Sequence, residues 1–190
     1  MNNKTIFTAL LLGLSVSGLR AQNGQTEPTF TEWHDLQVNA VNRFATHTDF
    51  FAFAPTDDLQ AKRWDKKQSK NYLSLDGEWK FNWVENADQR PKDFFRTDYD
   101  DSKWKAFPVP GIWEVNGYGD PVYVNVGFAW RGNFVNNPPE VPIKENHVGS
   151  YRRTIRIPDS WNGKQVIAHF GSVTSCMQLC SLKSWFDWFF

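Results

Sequence analysis

The stretch Glu78-Trp79-Lys80-Phe81-Asn82-Trp83 constrains the fold more than any other part of the chain. Trp79, Phe81 and Trp83 alternate strictly with Glu78, Lys80 and Asn82. A period of two puts three aromatic rings on one face of an extended segment and three polar groups on the other. A helix would scatter the same rings around its circumference. The segment is therefore expected to be a half-buried β-strand whose rings pack in a core rather than serve as a ligand platform.

Similar patterns flank it. Tyr72-Leu73-Ser74-Leu75 reads as a preceding strand, joined to the aromatic one by the turn dipeptide Asp76-Gly77. Tyr151-Arg152-Arg153-Thr154-Ile155-Arg156-Ile157 alternates again, with Tyr151, Ile155 and Ile157 on one side. Pro158-Asp159-Ser160-Trp161-Asn162-Gly163 makes a turn, and Val166 to Phe170 is expected to be the return strand, with Val166, Ala168 and Phe170 inward. Pro91 to Phe95 and Asp98 to Trp104 read as a short helix or turn followed by a capped loop. Phe107-Pro108-Val109-Pro110-Gly111 is too rich in proline for a central strand, and Trp113 beside Gly111 is expected to pack a loop against the sheet. Short strands, polar turns and little helix indicate an all-β chain, an antiparallel β-sandwich of jelly-roll type.

Composition narrows the function classes. Twenty-one Lys plus Arg balance 21 Asp plus Glu, and without a basic block the chain lacks the electrostatic footprint of a nucleic-acid or anionic-membrane binder. A neutral partner is expected. The chain is 41% hydrophobic and 22% charged, which argues against disorder over most of its length. Aromatic residues make up 16%, including 10 Trp, a content that fits either an aromatic core or a surface that stacks flat neutral ligands. At 190 residues the chain is too short for a complete eight-stranded α/β barrel, which takes about 250.

The first residues read as a targeting signal. Lys4 supplies a positive start, Ile6 to Leu19 is apolar or small throughout, and Arg20-Ala21-Gln22 follows where cleavage is expected. The apolar run is shorter than the roughly 20 residues a membrane span requires. Export to a periplasmic or extracellular location is expected, with no membrane segment in the mature form. After an extended polar arm, Trp33 to Phe53 reads as an irregular lead-in. Ala54-Pro55-Thr56-Asp57-Asp58 is placed to cap a short helix over Leu59 to Trp64, and Lys66 to Lys70 is a solvated basic stretch. The organisation expected is a signal peptide over 1–21, an N-terminal arm and lead-in over 22–70, the first part of the sandwich over 71–175, and an aberrant tail over 176–190.

Five motifs occur in order: Leu75-Asp76-Gly77-Glu78-Trp79-Lys80-Phe81; Val109-Pro110-Gly111-Ile112-Trp113-Glu114-Val115-Asn116-Gly117-Tyr118-Gly119; Pro121-Val122-Tyr123-Val124-Asn125-Val126; Gly149-Ser150-Tyr151-Arg152-Arg153; and Phe170-Gly171-Ser172-Val173-Thr174-Ser175. Together they resemble the N-terminal sugar-binding domain of glycoside hydrolase family 2, most closely its β-galactosidase branch. Glu32-Trp33-His34-Asp35 and Asn42-Arg43 are similar to the segment that precedes the domain there. The resemblance implies a galactose-binding-domain-like jelly roll, a role in hydrolysis of terminal β-galactosides, and a β-galactoside or related neutral glycan as partner. Full-length members are often oligomeric.

Asn125 is the candidate binding residue. Read alone, an Asn in an apolar loop between Pro121 and Pro138-Pro139 serves either a sugar hydroxyl, through its amide donor and carbonyl acceptor, or a local turn. The resemblance implies the first, a hydrogen bond to the galactosyl group. Some relatives bind Mg2+ near the preceding segment, where Glu32 and Asp35 are rough counterparts, with Asp35 in place of an Asn. No metal site and no cofactor is assigned to this chain.

Catalytic carboxyls are not expected here. Retaining glycosidases need two carboxyl groups about 5 to 5.5 Å apart, and the resemblance places both in a barrel far downstream. Glu78, Glu85, Glu114, Glu140 and Glu145 lie in no such motif and read as solvated surface. The chain is expected to be inactive alone. After Ser175 it departs from the family pattern: Cys176 and Cys180 appear in a C-x-x-x-C spacing without further metal ligands, and residues 185–190 are almost wholly aromatic. The expected explanation of both features is a frameshift or premature stop near residue 176, which would make the chain the front portion of a larger hydrolase. Two other readings stand beside this one: an autonomous carbohydrate-binding module that stacks sugars on exposed Trp faces, and a plain structural or interaction sandwich.

Overall fold

The computed structural model describes residues 35, 37–41, 43–45, 47–55, 57, 65–121, 137, 140–174 and 176–180. Their regular elements are strands and single turns of 3-10 helix, an all-β arrangement. Three strands, β1 (Gly77–Val84), β2 (Lys105–Val109) and β3 (Val148–Arg152), form one antiparallel sheet in the order β2-β1-β3. The aromatic strand is therefore the central one. Trp79 lies opposite Phe107 of β2, and Phe81 opposite Tyr151 of β3.

The period-two expectation holds over Glu78 to Phe81 and weakens beyond, where Asn82 is half-buried like Trp83. Phe81 is buried, Trp79 and Trp83 are half-buried, and Glu78 and Lys80 are exposed. Phe81 and Phe107 are the largest fully buried side chains. Proline-rich β2 sits at the sheet edge, where Pro108, which cannot donate to a ladder, is tolerated. The Val109–Pro110 peptide bond is cis.

Three expected strands differ. Tyr72 to Leu75 forms no strand, so Asp76-Gly77 joins no hairpin; Gly77, at φ +126°, simply opens β1. Side chains take the place of a partner strand there: Trp79 Nε1 donates to Leu75 O at 2.8 Å, and Arg153 donates to the carbonyls of Leu75 and Asp76. The expected 151–157 strand instead runs from Val148 to Arg152 and stops where Arg153 turns to those carbonyls. Val166 to Phe170 keeps its alternation, with Val166 buried and Ile167 and His169 exposed, but joins no ladder among the described residues. Alternation reports which side is covered, not whether the backbone has a partner. The short helix expected over Leu59 to Trp64 lies outside the described residues.

Two groups of hydrogen bonds tie segments outside the sheet to one another. The Asp57 carboxylate accepts from Ala54 N at 2.6 Å, Lys70 N at 3.2 Å and Ser69 Oγ at 3.3 Å, while Ser69 Oγ also donates to Ala52 O. Trp161 Nε1 donates to Lys70 O and Lys164 Nζ to Asn71 Oδ1. Among the described residues no helix is long and apolar enough to cross a membrane.

Candidate functional site

The ring side of the sheet is one connected aromatic cluster. Phe81 lies at its centre, with ring centroids of Phe107 at 4.5 Å, Tyr151 at 4.6 Å, Tyr118 at 4.9 Å and Trp113 at 6.1 Å. Trp113 reaches Phe81 because position 149 carries no side chain. A Cβ on Gly149 would lie 2.5 Å from Trp113 Cζ2 and 2.7 Å from Phe81 Cε2, far inside contact distance. The indole then donates to the Tyr151 hydroxyl. Burial raises the Tyr151 pKa above 10.0, and the Trp113 hydrogen bond opposes it in part. The loop is thus pinned to the sheet by Trp113, as expected from its place beside Gly111.

That pinned loop leads directly to Asn125. Trp113 precedes a 3-10 turn over Glu114–Asn116, closed by Gly117 at φ +83°. Tyr118, Gly119, Asp120 and Pro121 continue toward the Tyr123-Val124-Asn125-Val126 motif. Asn125 itself lies outside the described residues, as does Glu32. The chain returns through residues 140–147, and the His147 ring stacks 4.8 Å from Trp83.

On the opposite side of the sheet, Asp101 accepts from both Lys80 and Arg152. Arg152 also donates to Tyr99 O and Arg96 O, with its guanidinium 5.5 Å from the Tyr99 ring. The Lys80 hydrogen bond, followed by Arg152, holds the Asp101 carboxyl below 3.8 against the desolvation that raises it. For Asp57, desolvation is outweighed by the amides of Ala54 and Lys70 and the Ser69 hydroxyl, and the carboxyl again sits below its ordinary value. Neither network was visible in the sequence. The proximity of Asp57 to Pro55 signalled only a capping role.

The other candidates are dispersed. Glu78, Glu85, Glu114, Glu140 and Glu145 are all exposed. Asp35 is exposed and accepts from Gln37 N at 2.8 Å, a local turn. Among the described residues no group of three His, Cys, Asp or Glu could hold a metal ion, so Asp35 gains no partners for Mg2+ there. Cys176 and Cys180 are not joined in a disulfide. A shallow cavity of about 110 Å³, lined by Leu73, Ser74, Leu75 and Arg153 to Arg156, lies against the segment that precedes β1. Of its two lining arginines, Arg153 is already committed to Leu75, Asp76 and the Trp79 ring.

Comparison with known proteins gives this architecture a context. A family model described as "Glycosyl hydrolases family 2, sugar binding domain" matches residues 72–187. The matched stretch begins just before β1, includes the Asn125 motif and runs past Ser175. A β-galactosidase of Priestia megaterium is 35% identical over 77% of this chain and 14% of its own length. One from Streptococcus thermophilus is 31% identical over 79% of this chain and 14% of its own length. The β-galactosidase large subunit of Leuconostoc lactis is 29% identical over 75% of this chain and 24% of that subunit. The chain therefore spans a small part of the length of the relatives it matches.

Proposed function

Because the chain belongs to glycosyl hydrolases family 2 through that family's sugar binding domain, we propose that it is the sugar-contacting domain of a β-galactosidase, with the terminal β-galactosyl unit of a neutral glycan as its ligand. The observation that carries this reading is the Tyr123-Val124-Asn125-Val126 motif, which lies inside the matched stretch. A carboxamide offers both a donor and an acceptor. That pair suits a hydroxyl group, which is itself donor and acceptor, and discriminates by the direction of the hydroxyl. In this reading Asn125 binds and orients the galactosyl group, while two carboxyl groups from elsewhere in the enzyme break the glycosidic bond.

The zero net charge supports a neutral ligand. The rings of Phe81, Phe107, Trp113 and Tyr151 support the loop rather than stack on sugar, since they are spent on one another. We further propose that the sheet belongs to a jelly-roll sandwich and that Lys4 and the apolar run after it direct export. Titration of the intact chain with lactose tests the assignment. Asn125→Ala is expected to weaken binding about tenfold, the loss of one or two neutral hydrogen bonds. Unchanged affinity would remove Asn125 from the site.

A further inference from the structure

The sequence holds three Asn-Gly pairs, Asn23-Gly24, Asn116-Gly117 and Asn162-Gly163. The first lies outside the described residues. The other two are alike in sequence and in local conformation. Each follows a single 3-10 turn, with Asn116 ending the Glu114–Asn116 turn and Asn162 capping the Asp159–Trp161 turn. Both asparagines are exposed. Both glycines take the left-handed conformation, Gly117 at φ +83° and Gly163 at φ +75°, with open space where a Cβ would stand.

Their hydrogen bonds differ. At the first pair, Gly117 N donates to Glu114 O at 3.3 Å, and Asn116 Nδ2 donates to Ile112 O at 2.8 Å. The next amide, Tyr118 N, returns to Trp113 O at 3.0 Å, and Trp113 is fixed to Tyr151 through its indole. Glycine nitrogen and carboxamide are thus both engaged, on a loop anchored to the sheet. At the second pair the flanking amides are engaged instead, Asn162 N with Asp159 O at 3.1 Å and Lys164 N with Trp161 O at 2.9 Å. Gly163 N and the Asn162 carboxamide have no hydrogen-bond partner among the described residues.

Those two groups are the ones that react with each other when asparagine deamidates. The glycine nitrogen gives up its proton and attacks the asparagine Cγ. The N–Cγ bond forms, the Cγ–Nδ2 bond breaks, and the amide leaves as ammonia with the proton. Solvent water then opens the five-membered succinimide at either carbonyl, giving aspartate or isoaspartate. A following glycine favours the step, because it has no Cβ to crowd the nitrogen and its backbone turns freely. A hydrogen bond held by the nitrogen or by the leaving amide must break first, which adds to the barrier.

We propose that Asn162 is a site of spontaneous deamidation in the folded protein, and that the fold protects Asn116 from the same reaction. The product alters the turn in which it forms. A carboxylate replaces a neutral amide, and isoaspartate adds one carbon to the backbone path. Trp161 Nε1 donates to Lys70 O at 2.8 Å and Lys164 Nζ to Asn71 Oδ1 at 3.0 Å, so the two bonds that tie this turn to the segment before β1 flank residue 162. The longer backbone loosens that tie.

The full chain is held folded in mildly alkaline buffer, and peptide mapping by mass spectrometry follows each asparagine separately over time. Asn162 is expected to convert about tenfold faster than Asn116, the scale of the hydrogen bonds that hold Asn116 and Gly117, with isoaspartate among its products. In denaturant, where neither turn persists, the two rates are expected to converge. Asn162→Gln, whose longer side chain needs a six-membered ring for the same attack, should stop conversion at 162 and leave the Asn116 rate unchanged. Equal rates in the folded chain, or faster conversion at Asn116, would overturn the proposal. A difference that persists in denaturant would overturn it too, because the neighbouring residues Val115 and Trp161, rather than the fold, would then set the rates.

Discussion

The two faces of the three-stranded sheet are built on opposite principles. On the ring side, Phe81 is covered by Phe107, Tyr118, Tyr151 and Trp113, and polar contacts among the described residues there include the indole hydrogen bonds of Trp113 to the Tyr151 hydroxyl and of Trp79 to Leu75 O. On the other, Lys80 of β1 and Arg152 of β3 converge on Asp101, and the chain between Arg96 and Tyr99 supplies carbonyls to the guanidinium. One face derives its stability from removing aromatic surface from water. The other satisfies charges that the strand alternation leaves half-covered. The difference teaches where a loop can be anchored: Trp113 packs on the ring side, and the ion network closes the back.

The contrast breaks most readily at Phe81. Phe81→Ala is expected to cost about 3 to 5 kcal/mol, measured by the denaturant midpoint; a cost near that of a surface substitution would mean the rings do not form the core. Next is Gly149→Ala, which drives a methyl group into Trp113 and Phe81 and is expected to cost about 1 to 3 kcal/mol by overpacking. It should also weaken lactose binding, because Trp113 holds the loop. On the back face, Asp101→Ala is expected to cost about 1 to 2 kcal/mol, between the exposed and buried ion-pair cases. High salt should shrink that cost, whereas the Phe81→Ala cost should not fall. Smallest is Tyr151→Phe, about 1 kcal/mol for the hydrogen bond that Trp113 loses.

The two faces also differ in their response to pH. The Asp101 carboxyl is held below 3.8 in the folded protein, so its contribution is present above that value and is lost as pH falls through the lower folded value. Tyr151 is raised above 10.0, so its contribution is present below that value and is lost as pH rises. The back face should therefore weaken first in acid and the ring side first in alkali. Asp101→Ala should flatten the acid limb of a stability profile and Tyr151→Phe the alkaline limb. Both limbs unchanged would contradict the pairing.

What the sequence made legible follows from range. The alternation of Trp79, Phe81 and Trp83 is a local signal, and it identified the central strand and its buried face. Trp113 beside Gly111 was legible as a loop anchor, although the slot that Gly149 opens for it comes from 36 positions farther along, as the difference between the two residue numbers shows. The Asp101 network could not be read, because Lys80 and Arg152 each look like the solvated side of a strand until the 96–104 loop is seen to cover them. Tyr72 to Leu75 misled because an apolar run reports burial, while its carbonyls are met by Trp79 and Arg153 side chains instead of a strand. For the site, Asn125 is proposed from its motif and the family match, and it lies outside the described residues. Gly119 closes one of the five motifs, but its approach to His147 and Trp83 is visible only in space.

The most direct measurement is the affinity of the intact chain for methyl β-galactoside set against methyl β-glucoside, which differ in the direction of a single hydroxyl. If Asn125 reads a galactosyl group, the galactoside binds more tightly, and Asn125→Ala erases the preference. Equal affinity for the two sugars, or a preference that survives Asn125→Ala, would contradict the account.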